Sequence, residues 1–198
     1  METRYFDVRA TGGENRTVEG YAAVFGQKSL LLYGEFKEQI ERGAFVDSLA
    51  DDVRMIWNHD TNIVLGRTKS GTLRLAEDAH GLRFENDMPE NRPELTESIR
   101  RGDVDQMSFG FDVLDSEWGR DDDGVPLRTV RKVKLYEISP VTFPAYPQTQ
   151  VAQRGDALGD KPEIPAHLTQ DASGSDAEQA QARLSEMRRR LDLAEIEL

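Results

Sequence analysis

Three phrases of this chain carry side chains that can share the work of an acyl transfer. They are Ile56-Trp57-Asn58-His59-Asp60, Gln106-Met107-Ser108-Phe109-Gly110-Phe111 and Leu135-Tyr136-Glu137-Ile138-Ser139-Pro140. A serine hydroxyl is a weak nucleophile until a base takes its proton, and an imidazole base needs a third group to orient it. Ser108, His59 and Glu137 are the candidates for those three parts. Only three histidines occur, so the search for a base is short. His167 lies in a proline-bearing linker where nothing would hold a ring in place, and His80 sits among the turn residues Asp78 and Gly81. His59 is different. Alternation from Val53 puts it on one strand face with Met55 and Trp57, at the edge of an apolar layer where water access is limited. A packed core histidine would show the same pattern.

The serine phrase alternates as well. Met107, Phe109, Phe111 and Val113 share one face, while Gln106, Ser108, Gly110 and Asp112 share the other. Ser108 thus stands out from an anchored strand, with open space expected beside it at Gly110. An ordinary outward-facing serine has this pattern too. The Gly-x-Ser-x-Gly elbow is missing, so an α/β-hydrolase is not indicated. Glu137 falls in line with Val133 and Leu135, which places it either at an exposed strand end or in a buried site with a partner such as histidine. Ser139, two residues on, is a second candidate nucleophile. A competing chemistry, metal-dependent hydrolysis through His59 and Asp60, has a thin ligand set without cysteine or a His-Glu-x-x-His run. No metal or cofactor is expected.

The elements that must position these residues read as β-rich with few helices. Strands are predicted over 17–25, 53–59, 72–75, 82–86, 106–114 and 127–137, with a hairpin turn over 77–81. A short helix is predicted over 43–50. A second runs over 92–101, with Asn91 as N-cap, Glu94 as its capping-box partner and Gly102 at the end. The polar run 119–124 reads as an exposed hairpin. Its aspartates suggest a calcium loop, but aligning Gly124 with the loop glycine puts Gly119 at the first ligand position and Val130 at the last. Pro140, Pro144 and Pro147 close the domain, taken as 1–151. Residues 152–176 read as a flexible linker of Gly, Pro, Ala, Ser, Asp and Gln. Residues 177–198 read as an amphipathic helix, with Leu184, Met187, Leu191, Ala194 and Leu198 on a coiled-coil seam that suits self-association or a partner helix.

The composition narrows the class. A formal net charge of −12 over 198 residues argues against a nucleic-acid partner, and Arg188-Arg189-Arg190 reads as a solvated helix face. Mean hydropathy is −0.63 and no stretch approaches the length of a membrane span, so no membrane association is expected. With no cysteine, disulfides and thiolate catalysis are excluded. Met1-Glu2-Thr3-Arg4-Tyr5 lacks the pattern of a signal peptide, and a cytoplasmic protein is expected.

From about residue 17 to 151 the ordered phrases resemble the phage prohead (capsid maturation) proteases. They include Gly20-Tyr21-Ala22-Ala23-Val24-Phe25, Glu41-Arg42-Gly43-Ala44-Phe45, Asn58-His59-Asp60 with Leu65-Gly66-Arg67, Met107-Ser108-Phe109-Gly110-Phe111, and Leu135 through Pro147. The resemblance implies a serine endopeptidase that cleaves major capsid protein and scaffold segments, and itself, within the immature head in the host cytoplasm. It implies His59 as base, Ser108 as nucleophile and Glu137 as the group orienting His59. It further implies a fold like that of the herpesvirus assembly proteases, a β-barrel with flanking helices whose third member is a second histidine, which keeps His80 as a competitor. The alternative is a non-enzymatic capsid-assembly scaffold with a coiled-coil tail, for which Ser108 is incidental.

Overall fold

A single long strand, β9 (Pro126–Val141), organises the molecule. Its Val130, Val133, Leu135 and Ile138 side chains are all buried, and β-branched and large apolar residues suit a pleated core surface. The computed structural model describes residues 8–10, 16–29, 31–142 and 161–170. In it β9 is central to a five-stranded sheet. β8 (Gln106–Arg120) pairs antiparallel with β9 along one edge. On the other edge β3 (Lys37–Ile40) runs parallel to its start, and β4 (Arg54–Trp57) runs parallel to its end. β5 (Asp60–Arg67) completes this sheet beyond β4.

A second, antiparallel sheet has the order β1 (Val8–Ala10), β2 (Thr17–Val24), β7 (Gly81–Asp87), β6 (Leu73–Glu77). One apolar cluster joins the sheets, drawing Val18, Leu82 and Phe84 from one, and Met55, Met107 and Ile138 from the other. The β-rich class with few helices matches the sequence reading. The expected closed barrel does not: among the described residues the two sheets remain separate and open.

Between β3 and β4 the edge of β9 has no strand beside it, yet its backbone groups are not stranded. Val133 N donates to Ala44 O (3.0 Å). The buried Ser48 hydroxyl donates to Val133 O (2.8 Å) and accepts from Leu135 N (3.0 Å). Ser48 belongs to a short 3₁₀ helix, Val46–Ala50, within the predicted helical stretch. The turn before it is held by Glu77, whose carboxylate accepts from the N–H groups of Gly43 and Phe45. The stretch 44–48 therefore substitutes for a missing strand, satisfying groups whose desolvation is costly. It also sets Phe45 edge-on against Phe109, the neighbour of Ser108 in sequence (centroids 5.7 Å apart).

Helix α1 (Pro93–Arg101) is present, but Arg92 rather than Asn91 is its N-cap and no side chain caps it. Pro93 supplies the start, needing no N–H partner, and Gly102 at φ 77° supplies the stop. β8 runs past the predicted 106–114 to Arg120, its mostly polar distal residues pairing with the start of β9. β9 runs past the predicted 127–137 to Val141, where the buried residues 138–141 pair with Gln106–Phe109. β1, β3 and β5 were not predicted. Within the presumed linker, α2 (Ala166–Gln170) places Leu168 in a buried position, and Lys161 pairs with Glu35 (2.7 Å). The rest of that stretch and the predicted helix 177–198 lie outside the described residues. No helix among the described residues is long and apolar enough to cross a membrane.

Candidate active site

His59 reaches the site on a tight turn, not on a strand. β4 stops at Trp57, which pairs with Asp60, and Asn58 and His59 between them have φ of 50° and 59°. Positive φ at both central positions is the pattern of a type I′ hairpin, which favours Asn first and Gly second. The predicted strand over 53–59 therefore ends early, because the chain turns where Asn tolerates the left-handed conformation. A non-glycine residue at the second position costs about 1 kcal/mol. Asn58 fastens the turn to the end of β9. Its N–H donates to Pro140 O (3.0 Å), and its Oδ1 accepts from Thr142 N (2.9 Å).

Glu137 reaches the same place through a β-bulge. In the β8–β9 register Phe111 faces Leu135 and Gly110 faces Glu137, so Tyr136 is an extra residue on β9. Leu135 and Ile138, three apart, both enter the core, whereas regular alternation would send them to opposite faces. The expectation that Glu137 shares a face with Val133 and Leu135 is thus corrected. The bulge turns it onto the outer face, a recurrent use of bulges beside functional sites. Gly110 leaves room for it: a Cβ there would stand 2.6 Å from Glu137 Oε1. The space expected for a ligand beside Ser108 is in part the seat of this carboxylate.

The two groups meet. His59 Nδ1 and Glu137 Oε1 are 2.7 Å apart, with side chains 24% and 15% exposed. A carboxylate can only accept, so Nδ1 carries a hydrogen, and in the neutral ring Nε2 then presents its lone pair. Ser139 links both partners: its hydroxyl donates to Glu137 Oε2 (2.6 Å) and accepts from His59 N (3.3 Å). Ser139 is fully buried, which removes it as a candidate nucleophile.

Ser108 stands directly opposite Ser139 in the register, on the face that holds Gly110 and Glu137. It is half-buried, and its hydroxyl has no hydrogen-bond partner among the described residues. An unliganded site often leaves the nucleophile's hydrogen bond loose until substrate closes it. Phe109 and Phe111, stacked at 4.8 Å, anchor the strand from the core side.

The other candidates are engaged elsewhere. His80 lies in the β6–β7 turn of the other sheet, edge-on to Tyr21 at 4.6 Å, with its backbone N–H donating to Asp78 Oδ1. The Tyr21 hydroxyl and the N–H groups of Gly81 and His80 hold the Asp78 carboxyl below its ordinary range. His167 is exposed in α2. Asp60 accepts from the backbone and side chain of Asn62 (2.8 and 2.9 Å). Asp121 and Asp122 pair with Lys37 and Lys28.

Sequence reasoning missed Asn58 as a latch, Gly110 as the seat of Glu137, and Ser139 as a link. An Asn at the head of a polar pair between apolar stretches was a usable hairpin signal for the first. The other two depend on cross-strand register. Taken together, an oriented imidazole, an ionisable partner and an unpartnered hydroxyl on one sheet face can support nucleophilic attack on a carbonyl.

Residues 4–160 match the family model described as caudovirus prohead serine protease. No curated protein matches the chain, and no solved structure does.

Proposed function

The chain belongs to the caudovirus prohead serine protease family, and from that premise we propose that it is an endopeptidase whose catalytic residues are Ser108, His59 and Glu137. The observation that carries the assignment is the 2.7 Å His59–Glu137 pair on the sheet face that bears Ser108. Ser108 Oγ attacks a peptide carbonyl while His59 Nε2 takes its proton. Backbone N–H groups hold the tetrahedral oxyanion. His59 then gives the proton to the leaving amine, and the acyl group stays on Ser108. Water, deprotonated by His59, releases it. Glu137 keeps the imidazole in the required tautomer and stabilises the imidazolium without itself taking the proton.

The substrates are the major capsid protein and scaffold segments, cut inside the prohead in the host cytoplasm, with self-cleavage in the stretch 152–176. The helix predicted over 177–198 would concentrate the enzyme in the shell by pairing with scaffold helices or with another copy. The test is co-expression with the phage's major capsid protein, comparing wild type and Ser108→Ala by intact mass. Shortened capsid, scaffold or protease only with Ser108 present supports the assignment. Identical masses with shells still forming overturn it in favour of a non-enzymatic scaffold.

A further inference from the structure

We propose that Ser139 is a positioning residue for this reaction, holding Glu137 and the His59 turn in one fixed relation. The inference rests on the catalytic reading of His59, Ser108 and Glu137 given above. Ser139 is fully buried, so it acts only through its neighbours. Its single hydroxyl hydrogen goes to Glu137 Oε2 at 2.6 Å, since a carboxylate can only accept. Its lone pair takes the His59 backbone N–H at 3.3 Å. One oxygen therefore joins the backbone that carries the base to the side chain that orients it.

The division of the carboxylate matters. Oε2 is committed to Ser139, and Oε1 is left facing His59 Nδ1. A glutamate has three rotatable side-chain bonds. With His59 as its sole partner, the carboxylate would sample orientations in which Oε1 leaves the imidazole plane. Gly110, with no side chain, does not confine it from the β8 side. A second hydrogen bond at Oε2 removes that freedom before substrate arrives, which is what preorganisation requires. The bond comes from the residue opposite Ser108, so the strand pair that carries the nucleophile also sets the acid's direction.

The experiment measures the rate at which a fluorophosphonate labels Ser108 in the full chain, read by intact mass. Labelling forms a Ser108 Oγ–P bond and breaks P–F. The serine proton passes to His59, and fluoride leaves. Ser139→Ala is expected to slow labelling roughly 10- to 100-fold, the range for losing a hydrogen bond to a charged group. Glu137→Ala is expected to slow it further, and adding Ser139→Ala to Glu137→Ala should cost far less than Ser139→Ala costs in the wild type, because only the contact to the His59 N–H remains to be lost. A general structural role would instead slow both backgrounds equally.

Melting curves accompany each variant. If Ser139→Ala does not fold, Ser139→Cys keeps the size while replacing the strong donor with a weak one, and should show the same slow labelling. Wild-type labelling by Ser139→Ala, or by Ser139→Cys in its place, or an undiminished loss in the Glu137→Ala background, overturns the inference. Labelling of Ser108→Ala at the wild-type rate would overturn the underlying catalytic reading instead.

Discussion

The five-stranded sheet contains two hairpin turns built on opposite terms. At the β8–β9 turn the left-handed position falls to Gly124, with φ of 78°. There Asp121 Oδ1 accepts from the N–H groups of Asp123 and Val125, each at 2.9 Å. Its Oδ2 meets Lys37 at 2.5 Å, and Asp122 meets Lys28 at 2.7 Å. Residue types agree with the backbone at each of these positions. At the β4–β5 turn the left-handed positions hold Asn58 and His59, and the bonds that secure them come from β9. The first turn has a backbone that its own residue types favour, closed by Asp121 and reinforced by ion pairs to Lys37 and Lys28. The second is held from outside, in a conformation its second residue disfavours, and it is the one that delivers an imidazole to a carboxylate. Local strain overruled by surrounding structure is a mark of a site shaped for function, and here it sits where the catalytic reading needs it.

Substitution at His59 gives the largest effect and separates the two roles of that residue. His59→Ala and His59→Gly should each lower peptide cleavage by roughly 10³-fold or more, since both remove the proposed base. They should differ in stability. Both lose the imidazole and its bond to Glu137, but only glycine relieves the positive φ. His59→Gly is expected to be more stable than His59→Ala by about 1 kcal/mol in urea denaturation. Equal stabilities would mean that the turn is not strained, and the contrast with the β8–β9 turn would fail.

A smaller effect sharpens the comparison along a single strand. Gly110 and Gly119 both lie in β8, one beside the candidate site and one near the distal turn. A Cβ at Gly110 would stand 2.6 Å from Glu137 Oε1, whereas a Cβ at Gly119 would meet nothing within 4 Å. Gly110→Ala should therefore push the carboxylate off His59 and slow cleavage roughly 10- to 100-fold. Gly119→Ala should leave the rate unchanged. Comparable losses in both variants would show that β8 needs glycine for flexibility and not for the seat of Glu137.

How much of this was legible in advance depends on whether the determinant was local. β2, the β6–β7 hairpin, α1 and the cores of β8 and β9 announce themselves through alternation, Pro93 and Gly102. β3 does not, because Lys37-Glu38-Gln39 is polar and its pairing is with residues 127–130, far along the chain. β5 opens on Asp60-Thr61-Asn62 and is hidden for the same reason. His59 and Glu137 were selected by residue type and by the phrases around them, and the structure does bring them together. The local geometry assumed for each was nevertheless wrong. His59 is on a turn, and Glu137 is turned outward by a bulge. The turn left a local trace in Asn58, whereas the bulge is set by the register of β9 with β8, which no window of sequence around Glu137 contains.

Substitution in the β8–β9 turn should move stability without moving catalysis. Burial pushes the Asp121 carboxyl up, but Lys37 and the N–H groups of Val125 and Asp123 outweigh it and hold it below the ordinary range. A carboxyl depressed in the folded state contributes stability that is complete above its unfolded value of about 3.9. That contribution is lost as pH falls through the lower folded value. Asp121→Asn is therefore expected to lose about 2 kcal/mol at neutral pH, the scale of a hydrogen-bonded charge. Its deficit against wild type should shrink as the pH is lowered below about 4. Urea denaturation of both proteins across that range, with peptide cleavage measured at neutral pH, checks both halves. A deficit that stays constant with pH would show that Asp121 acts through its shape alone. A slower cleavage rate in the folded variant would show that the distal turn reaches the site through β9, and that the two turns are not independent.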